Sequence, residues 1–237
     1  FSLDIFRQIV TDLRGGRAEG LQPKTVIATG QSQAAIWLAS FINSGLADAR
    51  PIDGFLLISA TSAKVDPAAS TPVLRIVVEG DAAGADAEDQ PEDSAHFRQW
   101  EMAGTSHVDR HLRAAREPLQ LRDLGTSVQA AIVSKCDIAA IGTATPAFMV
   151  EAAGLDALVR WSQGDRAPAE APRLVRQFDR EGRLRRDSLG IAVGGIRLPD
   201  VAAPVGLNVG RNTGAPACSA QGYYLPFDVP RLRDLYQ

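Results

Sequence analysis

This chain of 237 residues has little of several residue types, and each shortage excludes a class of protein. Its two cysteines are too few for a small scaffold held together by disulfides. No apolar run approaches the ~20 residues that a membrane-spanning helix needs. Basic residues do not exceed acidic ones, and the formal net charge of -3 argues against nucleic acid as a partner.

Two kinds of apolar stretch alternate along the first half of the chain. Short β-branched runs predict buried strands, and longer runs with apolar residues at helical spacing predict helices. The predicted strands cover 25–30, 54–60, 71–81 and 96–104, and the predicted helices cover 3–14, 33–45 and 108–120, the last ending at Pro118. This alternation indicates an α/β protein with a mostly parallel sheet flanked by helices.

The chain changes character after about residue 120. Segment 143–163 predicts one more helix. Its inward face is predicted to consist of Ala152, Leu155, Leu158 and Val159. Residues 172–210 are rich in glycine and proline and predict hairpins and loops. We therefore expect an irregular C-terminal tail that packs over the sheet.

The segment Gly30-Gln31-Ser32-Gln33-Ala34 joins a predicted strand directly to a predicted helix. It fits the nucleophile-elbow pattern Gly-x-Ser-x-Gly, with alanine in the last place. In such an elbow a tight turn exposes the serine hydroxyl, and small flanking residues let the two backbones approach. The helix N-terminus also directs the amide of Gln33 at a developing oxyanion. The alternative interpretation is that Ser32 only caps the helix.

A serine nucleophile needs a base, and the chain offers three histidines. His107 lies in a small-residue loop just after the fourth predicted strand, where the fold can bring a base to the sheet edge. His96 precedes that strand, and His111 falls inside a predicted helix. We therefore expect His107 to be the base, and His96 and His111 to have surface or packing roles.

Two acidic residues, Glu79 and Asp81, lie at the end of the third predicted strand. An extended backbone would place both side chains on the same face. Asp81 lies farther past the apolar run and nearer the loop, so we predict it to be the acid, with Glu79 as the alternative. The order Ser32, Asp81, His107 is the order that α/β-hydrolases use. It predicts a serine hydrolase that cleaves a carboxylic ester through an acyl-enzyme.

Several longer segments resemble the alpha/beta hydrolase domain family of bacterial proteins, which are serine-esterase-like and often exported. The most specific are the Trp-Glu-x-Ala-Gly-Thr-x-His segment at 100–107 and GGIRLPD at 194–200, and the likeness runs from about residue 25 to the C-terminus. The resemblance implies an α/β-hydrolase fold. By this resemblance, Ser32 is expected to be the nucleophile and His107 the base, and the acid is expected in the segment that holds Glu79 and Asp81.

Cys136 and Cys218 stand in glycine- and proline-rich surroundings, and the residues alone leave a bridge and two separate thiols equally open. The resemblance implies that they form a disulfide. It also implies that the protein is secreted or periplasmic, with a cytoplasmic location as the alternative.

Only 31 residues precede Ser32, whereas the nucleophile of this fold normally follows several strands. The chain is either a fragment of a longer protein or a reduced version of the fold. Because a sheet without its early strands would expose a long apolar edge, we expect those strands and the second oxyanion donor to come from an N-terminal segment or a second chain. Within the sequence we expect a single α/β-hydrolase domain over 1–237. Its sheet and helices cover 1–120, and its C-terminal helix, hairpins and loops cover 121–237.

The expected partner is a small-molecule ester, with no cofactor, no nucleic acid and no membrane span. The histidines show no spacing typical of metal ligands, so no metal is expected. Lactones, thioesters and amides would be hydrolysed by the same three residues. The other class of function that the sequence leaves open is a non-catalytic binding or scaffold protein of this fold that lacks a complete oxyanion hole.

Overall fold

A four-stranded sheet organises the first half of the computed structural model, which describes residues 2–17, 20–47, 51–66, 69–84, 91–139, 142–177 and 184–237. Its strands are β1 (Ile27–Gln31), β2 (Gly54–Ile58), β3 (Val73–Val78) and β4 (Phe97–Met102). They lie in the order β1-β2-β3-β4, and β1 with β2 and β2 with β3 pair in parallel. The predicted α/β fold is confirmed.

Contacts divide the chain into two compact units, each built from several segments. The first unit comprises Phe1–Val77, Gln90–Trp100 and Val150–Glu170. The second unit comprises Val78–Asp89, Glu101–Met149 and Ala171–Gln237. Ser32 therefore belongs to the first unit, whereas Asp81 and His107 belong to the second.

In the first unit, helices α1 (Ser2–Arg14) and α2 (Gln33–Asn43) bury their apolar faces with β1 and β2. Phe41 and Phe55 are fully buried there. The ring of Phe6 meets that of Phe41 edge to face, with centroids 5.1 Å apart. Burial of such aromatic rings is among the larger contributions to a core, so α2 is held firmly against the sheet.

Helix α6 (Ala147–Ser162) confirms the helix predicted in 143–163, but its inward face differs from the prediction. Ala152 and Leu155 are exposed, whereas Val150, Gly154, Leu158 and Trp161 are buried. A methyl group on Gly154 would lie 2.6 Å from Ile76 Cδ1. Helix α6 thus approaches β3 most closely at a glycine. A pattern of large apolar residues cannot reveal such a contact, because glycine has no side chain.

Strand β3 is followed at once by the short helix α3 (Glu79–Ala82) of the second unit, and β4 leads toward α4 (Arg110–Leu124) of the same unit. The predicted end at Pro118 is wrong, because α4 continues to Gly125, whose φ is 67°. Proline removes one backbone hydrogen bond. No residue of α4 is buried, so solvent can satisfy the carbonyl that Pro118 leaves unpaired.

The remaining elements of the second unit are short. They are α5 (Val128–Val133), α7 (Pro199–Ala202), β5 (Gly206–Val209), a 3₁₀ helix (Pro216–Ala220), β6 (Tyr223–Pro226) and α8 (Val229–Tyr236). Strands β5 and β6 pair antiparallel, and isolated bridges join Leu174 to Gly194 and Arg186 to Ala192. The irregular character predicted for 172–210 is thus seen outside 178–183, which are not among the described residues.

Candidate active site

Ser32 stands at a sharp turn between the last residue of β1 and the first residue of α2. Its φ is 58° and its ψ is -124°, a conformation that side-chain-bearing residues rarely adopt. Its backbone N–H donates to the Ile58 carbonyl at 2.9 Å, which ties the turn to β2. This strained strand–turn–helix is the local geometry that a nucleophile elbow requires.

The small residues around Ser32 have unequal importance. A methyl group on Gly30 would lie 2.8 Å from backbone atoms of Ala34 and Ala35, a distance that real contacts essentially never show. Glycine at position 30 is therefore required by the close approach of strand and helix. Ala34 is exposed, which explains why alanine is accepted where the pattern usually has glycine.

The side chain of Ser32 does not act as a helix cap. The residue occupies the N-cap position of α2, and its backbone carbonyl accepts from the amides of Ala35 and Ile36 at 3.0 and 3.2 Å. Its hydroxyl makes no capping hydrogen bond to the helix. Gln33 is the first residue of α2, and a first-turn amide has no acceptor within its own helix.

Ser59 lies directly after β2 and is the other non-glycine residue with positive φ among those described, at 52°. Its side chain is buried, and its Oγ has no hydrogen-bond partner within the described part of the chain. Strained residues of this kind cluster at functional sites. The apolar run GFLLISA contains nothing that would have identified Ser59 beforehand.

Asp81 and His107 are brought together in the second unit. Both carboxylate oxygens of Asp81 face His107 Nδ1, at 3.1 and 3.0 Å. The two side chains are about one-fifth exposed. A carboxylate on Nδ1 holds the neutral ring in the Nδ1–H tautomer, which leaves Nε2 as the basic nitrogen.

The pKa of His107 is raised from its ordinary value of 6.5. The hydrogen bond that His107 Nδ1–H donates to Asp81 is the largest cause, and the negative charge of Asp81 adds to it. Burial and the positive charge of Arg116 act in the opposite direction. The net effect makes the imidazole a stronger base than a free histidine.

The loop that carries His107 is held by buried hydrogen bonds. Gly104 has a φ of 71°, which turns the chain out of β4. The Ser106 amide donates to Thr143 Oγ1 at 3.2 Å, and the Ser106 hydroxyl donates to the Val108 carbonyl at 2.9 Å. His107 thus projects from a backbone that is fixed on both sides.

Glu79 and Asp81 differ in surroundings, although the sequence suggested that they would share the face of a strand. That expectation is wrong, because the chain turns into α3 at Glu79. Glu79 is completely buried, and its carboxylate is bonded to Arg186 and to the amides of Gly104 and Gly210. Asp81 is the carboxylate that faces the histidine.

The other two histidines have the surface and packing positions expected of them. His96 is exposed, and its carbonyl accepts from the Val73 amide at 2.8 Å. His111 is exposed, its Nε2 lies 3.1 Å from the Ala144 carbonyl oxygen, and its ring meets Phe148 at 5.5 Å. Within the described ranges, no three histidine, cysteine or acidic side chains cluster as metal ligands would.

Cys136 and Cys218 form a disulfide, as the family resemblance implied. Cys218 lies in the 3₁₀ helix, and Gln221 just beyond it pairs with Val108, the residue after His107. The bridge therefore anchors the segment that flanks the histidine loop.

Replacing both cysteines by alanine is expected to lower the free energy of unfolding by about 4 to 5 kcal/mol, because the bridge closes a long loop in the unfolded chain. The half-cystines are 82 residues apart. Urea denaturation of the variant and the wild type would measure the loss, and the wild type in excess reductant is the control. A loss below about 1 kcal/mol would contradict this entropic account.

Comparison with known proteins gives one finding about the whole chain. The family model described as alpha/beta hydrolase domain matches residues 1–237. No curated protein and no solved structure was found to match. Among the residues that the structure describes, we find no helix with the length and apolar character of a membrane span. The match covers every residue of the sequence, and the chain therefore belongs to the alpha/beta hydrolase domain family, whose general function is hydrolysis.

Proposed function

We propose that the chain is a serine hydrolase that cleaves a carboxylic ester, with Ser32 as nucleophile, His107 as base and Asp81 as the acid. The observation that carries the proposal is the contact of both Asp81 oxygens with His107 Nδ1, at 3.1 and 3.0 Å. An imidazole held in this way has the tautomer and the raised basicity that a general base needs. The strained turn at Ser32 supports the assignment of the nucleophile.

The topology of the sheet also supports this set of residues. Strands β1 and β3 are both parallel to β2, so their carboxyl ends point toward the same edge of the sheet. Ser32 directly follows β1, and Asp81 comes shortly after β3. In open α/β sheets, ligands bind at this edge.

The proposed reaction follows from these roles. His107 Nε2 takes the proton of the Ser32 hydroxyl as Oγ attacks the ester carbonyl, and the Gln33 amide stabilises the oxyanion at the N-terminus of α2. The tetrahedral intermediate collapses to an acyl-serine, and the imidazolium gives its proton to the leaving alcohol. Water, activated by His107, then releases the carboxylic acid and restores the serine.

A fluorophosphonate probe tests the proposal. The probe should form a covalent adduct on Ser32, which mass spectrometry of the peptide containing residue 32 would locate. The Ser32→Ala variant is the control for labelling elsewhere. Intact, folded protein without an adduct on Ser32 would favour a non-catalytic binding or scaffold protein instead.

The rate of hydrolysis is expected to rise with pH through an apparent pKa above 6.5, because only the neutral form of His107 accepts the serine proton. The contribution of His107 to the stability of the fold changes with pH in the opposite direction to the rate. A histidine whose pKa is raised on folding stabilises the native state fully below 6.5, and this contribution is lost as the pH rises through the folded pKa. Measuring kcat/KM for p-nitrophenyl acetate from about pH 5 to 9 checks the predicted rise of the rate with pH. A profile with its midpoint at or below 6.5 would contradict it.

We also propose that the protein works in an oxidising compartment, either secreted or periplasmic. The disulfide between Cys136 and Cys218 supports this, since such bonds are rare in proteins of the reducing cytosol. Alkylation of free thiols in intact cells, followed by fractionation, tests it. Recovery of the protein from the cytosolic fraction with both cysteines alkylated would contradict the proposal.

A further inference from the structure

The carboxylate of Glu79 is a buried charged group two residues before the proposed acid Asp81. The residue has no exposed surface. One oxygen accepts from the Gly104 amide at 2.6 Å, and the other accepts from the Gly210 amide at 3.0 Å and from Arg186 Nη2 at 2.8 Å. A buried charge is tolerated only when it is paired and hydrogen-bonded in this way.

The backbone closes tightly around this carboxylate. A methyl group on Gly80 would lie 2.3 Å from the Gly210 carbonyl oxygen, and one on Gly210 would lie 2.2 Å from the Thr105 carbonyl oxygen. The Glu79 amide donates to Thr105 Oγ1, and the Gly80 amide donates to the Thr105 carbonyl, both at 3.1 Å. The start of α3 and the loop that follows β4 are therefore in direct backbone contact.

These bonds join the two segments that carry the acid and the base. Glu79 lies two residues before Asp81, and Gly104 lies three residues before His107. We propose that Glu79 is a positioning residue, whose carboxylate fixes the backbone of the His107 loop to that of α3 and so sets the distance from Asp81 to His107. The inference rests on the proposed function, because it gives the Asp81–His107 pair a catalytic role.

A second buried glutamate provides a matched control. Glu101 is also fully buried, and its carboxylate accepts from Arg176 at 2.9 Å and from the Leu174 amide at 2.7 Å. The carboxylate of each glutamate thus accepts hydrogen bonds from an arginine side chain and from a backbone amide. The carboxylate of Glu101 bonds to residues 174–176, whereas one oxygen of the Glu79 carboxylate bonds to Gly104, in the loop that leads to His107.

The experiment compares Glu79→Gln with Glu101→Gln. We expect Glu79→Gln to lower kcat for p-nitrophenyl acetate about 10- to 100-fold with little change in KM, because misplacing a catalytic pair by about 1 Å has effects of this size. We expect Glu101→Gln to leave kcat near that of the wild type at a temperature where both variants are folded.

The titration of His107, followed by NMR of the imidazole, separates positioning from simple stabilisation. Asp81 raises the pKa of His107 and Arg116 lowers it, so loosening the contact with Asp81 should move the pKa down toward 6.5. We expect this shift in Glu79→Gln and not in Glu101→Gln. An unchanged titration in Glu79→Gln, with no greater loss of kcat than in Glu101→Gln, would overturn the inference.

Two further variants keep the test decisive. If Glu79→Gln does not fold, Arg186→Gln removes one partner of the Glu79 carboxylate from a partly exposed position, and it should shift the His107 titration in the same direction by a smaller amount. An unchanged titration there would count against the inference. Full esterase activity of Ser32→Ala would refute the proposed function but not the positioning of His107 by Glu79, because the titration needs no substrate and tests that positioning separately.

Discussion

Replacing Ser32 by alanine is expected to reduce kcat for ester hydrolysis about 10⁶-fold, the loss seen when the nucleophile of a serine triad is removed. The physical reason is that no other group can form the acyl intermediate at the elbow. Alanine keeps a Cβ in the strained turn, so the folded state should change little. Initial rates with p-nitrophenyl acetate measure the loss, and thermal unfolding verifies that the variant is folded.

Ser40→Ala is the matched control for this variant. Ser40 lies on the same helix α2, is exposed, and donates its hydroxyl to the Ile36 carbonyl at 3.1 Å. Its replacement should leave the rate unchanged. If Ser32→Ala retains the activity of the wild type, Ser32 is not the nucleophile and the proposed mechanism fails.

Replacing Asp81 by asparagine is expected to lower kcat by about 10⁴-fold. Asparagine preserves the shape of the side chain but can present its NH₂ group to His107 Nδ1, which favours the wrong tautomer of the ring. The pKa of His107 should fall as well, because the hydrogen bond that the ring donates to Asp81 is the largest cause of its rise. The pH profile of kcat/KM and the NMR titration of His107 would measure both effects.

Asp228→Asn provides the comparison for Asp81→Asn. Asp228 is an exposed N-cap in the same unit, where its side chain accepts from the Arg231 amide at 2.9 Å. Asparagine caps helices as well as aspartate does, so activity should not change. An Asp81→Asn enzyme with wild-type kcat and an unshifted His107 titration would exclude Asp81 as the acid.

The elbow could be read from the sequence because it is local. A β-branched run, a Gly-x-Ser-x-Ala segment and an apolar helix follow one another without interruption, and the strain at Ser32 is a property of that junction. His107 and Asp81 could be named for a similar reason, since both follow predicted strands. The strand that was expected to extend through Glu79 and Asp81 ends at Val78, because the chain turns there into α3.

Other features depend on contacts between residues far apart in the chain. Glu79 and Arg186 are separated by 107 positions, so no local pattern indicates that one neutralises the other. The inward face of α6 was misjudged because Gly154, which contributes no side chain, makes the closest approach to the sheet. The rule that a proline ends a helix fails at Pro118, because an exposed helix can continue past a proline at a modest cost in hydrogen bonding.

The interleaving of the two compact units limits how the protein can be dissected. The first unit needs residues from the N-terminus to Glu170, and the second needs residues from Val78 to Gln237. No single cleavage of the chain can release both units whole, because their spans overlap in sequence. Truncation and limited proteolysis will therefore damage at least one half of the molecule, and point substitutions are the better tool for separating the contribution of the elbow from that of the acid–base pair.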